Sequence, residues 1–215
     1  LPAIALWVGH PPGRAMPPTD AFDTRPAPQA QSAGAIRAMA FRSLSFWTIT
    51  IPFALALVAQ VGFIVHQIAF LDPLIGRAHA SIAVSVMSIM AVVGRLIFGA
   101  VVDRLNQRKA SAASFASQAL ALLVMVNTTN EYALFAASAL FGFSVGNLIT
   151  LPSLIIQREF DARAFGVLVS LVTAICQFTY AFGPGLVGLL RDAFGSYTVP
   201  FALCMAFELA AAGVA

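Results

Sequence analysis

Charge is what this sequence has least of. Asp, Glu, Lys and Arg together make up 10% of its 215 residues, against roughly 25% in an ordinary soluble domain. So few charges cannot hydrate the surface of a water-soluble globule. The net charge of +3 is small, and the cations stand at the ends of apolar runs. That placement fits orientation in a membrane and excludes the basic face of a nucleic-acid-binding protein. The two cysteines, Cys176 and Cys204, both fall inside apolar runs, which leaves a disulfide or a metal site little support. Histidine is equally scarce: His66 stands alone in an apolar run, and His10 and His79 lie in polar stretches. With no cluster of acid, base and nucleophile at one depth, neither an enzyme nor a bound cofactor or metal is expected. An initiating Met is missing, residues 1–9 are too short to cross a bilayer, and the last residues stop within an apolar run. The chain therefore reads as an internal stretch of a longer one, from which no signal peptide can be argued.

Long apolar runs dominate what is present, at 60% hydrophobic residues and a mean hydropathy of +0.87. The runs are too long for barrel strands and lack alternation, so the expected fold class is all-α, a polytopic membrane protein. Residues 1–9 read as the tail of a preceding transmembrane helix. Residues 10–45 read as a linker, with Pro11, Pro12, Pro17, Pro18, Pro26 and Pro28 among small and polar residues. A short interfacial helix from Ala35 would present Arg37 and Arg42 to headgroups. Six spans are expected at 46–70, 80–102, 110–127, 132–156, 164–190 and 197–215, each near the roughly 20 residues a crossing needs. Short loops make successive spans antiparallel neighbours. One side then holds Arg14, Arg25, Arg37, Arg42, Arg104, Arg108, Lys109, Arg158 and Arg163; the other holds Arg77 and Arg191. By the positive-inside rule the richer side, with the linker, is cytoplasmic, which in a bacterial cell means the inner membrane.

The twelfth cation, Arg95, lies inside the second span, in the stretch GRLIFGAVVDRLNQRK from Gly94 to Lys109. Its pattern Gly94-x4-Gly99-x3-Asp103 returns in the fifth span as Gly183-x4-Gly188-x3-Asp192. Both spans are the middle helix of a triplet, and triplets of odd number lie in opposite orientations, as in transporters built from inverted three-helix repeats. The charged stretch, with Asp103-Arg104 and Arg108-Lys109 after the glycines, resembles the loop signature of the major facilitator superfamily. Three further places carry the resemblance: Gly142–Pro152, Gln157–Ser170 and Gly183–Phe201. Together they match the C-terminal half of such a transporter, residues 46–215, preceded by its central cytoplasmic loop.

The resemblance implies alternating access, with an N-terminal six-helix half of the same chain as partner and a small solute carried across the bilayer. It also implies a gating role for Gly94, Gly99, Asp103, Arg104, Arg108 and Lys109, with the aspartate meeting a helix of the other half. Arg95 resembles the substrate arginine of monocarboxylate and oxalate–formate carriers. The chain departs from those patterns at Ala91, where monocarboxylate carriers tend to hold Asp, and in a fifth span without lysine. The residues themselves leave two readings of Arg95 open: an anion contact, or a gate residue bonded to carbonyls or to Asp103. Ser81, Ser85, Ser88, Val92, Arg95 and Gly99 share one helix face by spacing. A second polar face runs through Ser170, Thr173, Gln177 and Tyr180. Substrate contacts are expected from Arg95, Gln177, Tyr180, Asn147 and Gln60, although intramembrane polar groups also join helices. Gly183, Pro184 and Gly188 are expected to bend the fifth span. Glu208, a carboxylate within a span, is a possible proton site. The transported solute is expected to be an organic anion; the alternative is a drug or cation exporter working by proton antiport.

Overall fold

The computed structural model describes residues 33–215, except for the side chain of Asp103; the expected helix tail at 1–9 and linker residues 10–32 lie outside the described residues. Eight α-helices follow one another: α1 (Ala33–Arg42), α2 (Leu44–Val101), α3 (Gln107–Asn127), α4 (Glu131–Leu148), α5 (Leu151–Glu159), α6 (Phe165–Tyr180), α7 (Gly183–Phe194) and α8 (Thr198–Val214). No strand occurs among the described residues.

The 58 residues of α2 cannot be one rod. At 1.5 Å per residue they would reach about 87 Å, nearly three times the roughly 30 Å of a bilayer's hydrocarbon. The chain resolves this at Gly76, whose φ of 77° and ψ of 155° leave the helical region. Glycine alone reaches that conformation cheaply. The result is two limbs, 44–75 and 77–101, joined by a one-residue break.

Two sets of polar contacts define opposite ends of the bundle. At one end Arg108, in the first turn of α3, holds the end of α5 through Glu159, the start of α2 through Thr48 and the end of α8 through the Ala215 carbonyl. At the other end His79, just past the Gly76 break, pairs with Glu131 at the start of α4 at 2.9 Å. Asn106 and Asn130 cap α3 and α4 by accepting from backbone N–H groups of the first turns. Asn106 thus gives the polar stretch before Arg108 a local structural reason.

Two stretches read as single spans are each two helices. Ile149 and Thr150 separate α4 from α5, and Ala181 and Phe182 separate α6 from α7. In both cases the proline that follows, Pro152 or Pro184, sits in the first turn of the new helix, where its missing N–H costs nothing. Ala181 and Phe182 keep right-handed helical dihedrals, so Pro184 stands at a kink between α6 and α7, in the first turn of the second piece.

The tightest packing joins the second limb of α2 to α4. A Cβ on Gly94 would overlap the carbonyl of Phe143, one on Gly142 the carbonyl of Met87, and one on Gly146 the carbonyl of Ala91. Gly142-x3-Gly146 is the small-residue spacing that lets membrane helices touch backbone to backbone. Elsewhere rings fill the interior, as where Phe63 meets Phe141 and Phe201 at centroid distances of 4.5 and 5.2 Å. Large apolar side chains also cover the outside: Leu96, Phe178 and Leu189 are 69%, 71% and 73% exposed. Such a surface suits lipid. Four stretches, Leu44–Val101, Gln107–Asn127, Glu131–Glu159 and Phe165–Phe194, are long and apolar enough to cross a membrane, and Thr198–Val214 is a shorter apolar helix.

Candidate solute-binding site

Both helix breaks border one cavity of about 500 Å³. Its walls come from the first limb of α2 (Leu57, Gln60, Val61), the α4–α5 junction (Leu148, Ile149, Pro152) and α6 (Val172, Thr173, Gln177, Tyr180). The break at 149–150 opens one wall, and the break at 181–182 follows directly on Tyr180. Interrupted helices at membrane depth are tolerated where they line a cavity. The polar groups here are amides and hydroxyls set in an apolar surround that includes Cys176, and no charged side chain is among the lining residues. Gln60 is 4% exposed with its Oε1 unpartnered, and Gln177 is exposed. An amide with unused capacity invites a hydrogen bond from a guest.

The cavity therefore gathers Gln60, Gln177 and Tyr180, with Thr173 of the same α6 face. Arg95 and Asn147 are not in its lining. Arg95 Nε donates to the Gly146 carbonyl at 3.1 Å, two residues before Leu148 in the cavity wall. Arg95 is exposed, as are Ser81, Ser85, Ser88, Val92 and Gly99 on the same face of α2. The three serines donate to carbonyls of their own helix, those of Arg77, Ser81 and Val84. Asn147 is 3% exposed and lines a separate crevice with Phe98, Ser114, Ser117 and Ser144. Its Nδ2 lies 3.4 Å from the Phe143 carbonyl and its Oδ1 has no partner.

The charged stretch proves structurally mixed. Gly94 is buried in the α2–α4 contact, whereas a Cβ on Gly99 would meet nothing within 4 Å. Asp103 lies in a 3-10 turn (Val102–Arg104) at the end of α2. Arg104 and Lys109 are exposed. Arg108 forms a two-pronged bond with Glu159, Nε to Oε1 at 2.6 Å and Nη2 to Oε2 at 2.8 Å, while Nη2 also reaches Thr48 Oγ1 at 3.2 Å. The planar fork of arginine suits such a carboxylate. Glu159 lies 51 residues from Arg108 in the chain, so no local sequence pattern marks the pair.

In the fifth span Gly183 serves close approach: its Cβ would lie 2.5 Å from the Val58 carbonyl. Gly188 lies beside the His66 ring, with 3.7 Å available to a Cβ. Glu208 is wholly buried on α8, neither oxygen has a partner, and it is outside the lining of the cavity. Among the described residues no three of His, Cys, Asp and Glu come together as a metal site would need.

Among known proteins, the family model described as Major Facilitator Superfamily matches residues 17–215. No curated protein matches the chain. Apolar helices on the scale of a bilayer, a lipid-suited exterior and an open cavity beside the helix junctions agree with that match. The chain belongs to the Major Facilitator Superfamily, a family of multi-pass membrane transporters.

Proposed function

We propose that the chain supplies the C-terminal six-helix half of a secondary active transporter that moves a small organic anion, such as a monocarboxylate, by alternating access. Arg95 carries this reading. An arginine within a transmembrane helix costs from about 2.5 kcal/mol upward unless it meets water or a partner, and this one is exposed on a face otherwise built of Ser81, Ser85 and Ser88. Its bond to the Gly146 carbonyl uses one N–H and leaves other donors for a carboxylate. Gln60, Gln177 and Tyr180 complete the contacts from the cavity side, with Asn147 of the neighbouring crevice as a further substrate contact. Glu208 is the candidate proton site of this half.

The architecture behind this is two inverted three-helix repeats. Gly94 and Gly183, equivalent in the repeated pattern, both pack against a carbonyl of a helix in the other triplet, Phe143 and Val58 respectively. That recurrence supports the repeat beyond the match of residue types. The gating stretch would face the N-terminal half across the cytoplasmic side, with the linker also cytoplasmic and the whole in the cell's inner membrane.

A second reading, a drug or cation exporter on the same scaffold, draws support from the uncharged lining of the cavity. One experiment separates the two: uptake of labelled small carboxylates into vesicles carrying the full-length protein, its Arg95→Ala variant and its Arg95→Lys variant. The anion reading expects uptake by the parent and at least a tenfold loss of apparent affinity in both variants, the cost of about 1.4 kcal/mol of binding. Normal affinity with slowed turnover would assign Arg95 to the gate. Absence of carboxylate uptake, with efflux of lipophilic dyes, would favour the exporter.

A further inference from the structure

His66 lies where three helices meet. It sits near the end of the first limb of α2, half-buried, and its ring bridges α7 and α8. Nε2 lies 3.1 Å from the Pro184 carbonyl oxygen, and Nδ1 lies 3.2 Å from the Tyr197 hydroxyl. A carbonyl oxygen can only accept, so Nε2 carries a proton, and in the neutral ring Nδ1 accepts from Tyr197. Tyr197 is itself held, its ring 5.2 Å from Phe201 and 5.9 Å from the guanidinium of Arg191. Gly188 leaves room for the imidazole, and Gly62, one turn before His66, packs against Gly183.

Pro184 is in the first turn of α7, immediately after the break at 181–182. Gln177 and Tyr180 occupy the last turn of α6, immediately before it. Phe182 N–H turns to Thr179 and Pro184 has no N–H, so the helix ladder is weakened between α6 and α7 and the chain can pivot there. The facing wall, with Gln60, belongs to the same helical limb as His66, six residues away. A bond from this limb to Pro184 therefore ties the break to the opposite wall of the cavity.

We propose that His66 is a positioning residue: it pins the α6–α7 break and so sets Gln177 and Tyr180 against the cavity. This rests on the reading of that cavity as the solute site. The test, however, reads geometry and not transport, so the two can fail separately. In full-length protein with Cys176 and Cys204 replaced by Ala, a single reporter is introduced as Gln177→Cys, and in a control protein as Ser114→Cys in the other crevice. The rate of alkylation by a small maleimide is then measured with His66, His66→Leu, His66→Gln and Tyr197→Phe. Local opening at the break changes the rate at 177 about tenfold in His66→Leu. His66→Gln, whose amide can donate to Pro184 and accept from Tyr197, restores the parent rate, and Tyr197→Phe gives an intermediate change. The rate at 114 stays constant. An unchanged rate at 177 overturns the proposal. So does a parallel change at 114, which would mean general loosening of the bundle, or a failure of Gln to restore the parent rate.

Discussion

Arg108 shows how one side chain can serve the fold while standing in a stretch associated with gating. Its side chain is 30% exposed and that of Glu159 31%, so water screens the pair and the gain is modest despite the two-pronged geometry. Arg108→Ala is expected to cost about 1 kcal/mol, read as a lowered melting midpoint in detergent. Arg108→Lys should recover little of it, because an ammonium lacks the fork and cannot also span Thr48. Glu159→Ala combined with Arg108→Ala should cost less than the sum of the single variants, the mark of a direct pair. Additive losses would place Arg108's contribution in its contacts to Thr48 and α8 instead.

Among the helices, the α2–α4 contact is the most demanding of sequence. Gly146→Leu would force a side chain into the backbone of Ala91, at a cost of about 2–3 kcal/mol or outright misfolding. The checks are the yield of monodisperse protein and its melting midpoint. Gly99→Ala is the contrasting case, since a Cβ there meets none of the described residues. Its stability should stay within about 0.5 kcal/mol of the parent, and any loss of transport in that variant would point to contacts beyond this bundle. Gly99 shares its sequence pattern with Gly94, yet only Gly94 is packed against a neighbouring helix. Sequence made the polar stripe of Thr173, Gln177 and Tyr180 legible, because helical periodicity projects directly onto a cavity wall. It could not reveal that Arg95 bonds Gly146 or that Asn147 faces another crevice, since both depend on how α2 crosses α4. The helix breaks were half legible. Pro152 and Pro184 mark them, but a proline does not say whether a helix bends or starts anew.

For the whole molecule, the polar contacts at the two ends imply an alternating path. Cysteines placed at Leu105 and Ala162 should be labelled by an impermeant reagent only from the side of Arg108, and those at Thr129 and Ser196 only from the side of His79. Labelling of Leu105 and Thr129 from the same side would break the topology. The single-residue break at Gly76 also bears on how the protein is made. Limbs 44–75 and 77–101 share a junction with no slack that needs a φ of 77°, so a single misincorporation at position 76 would misplace both limbs at once.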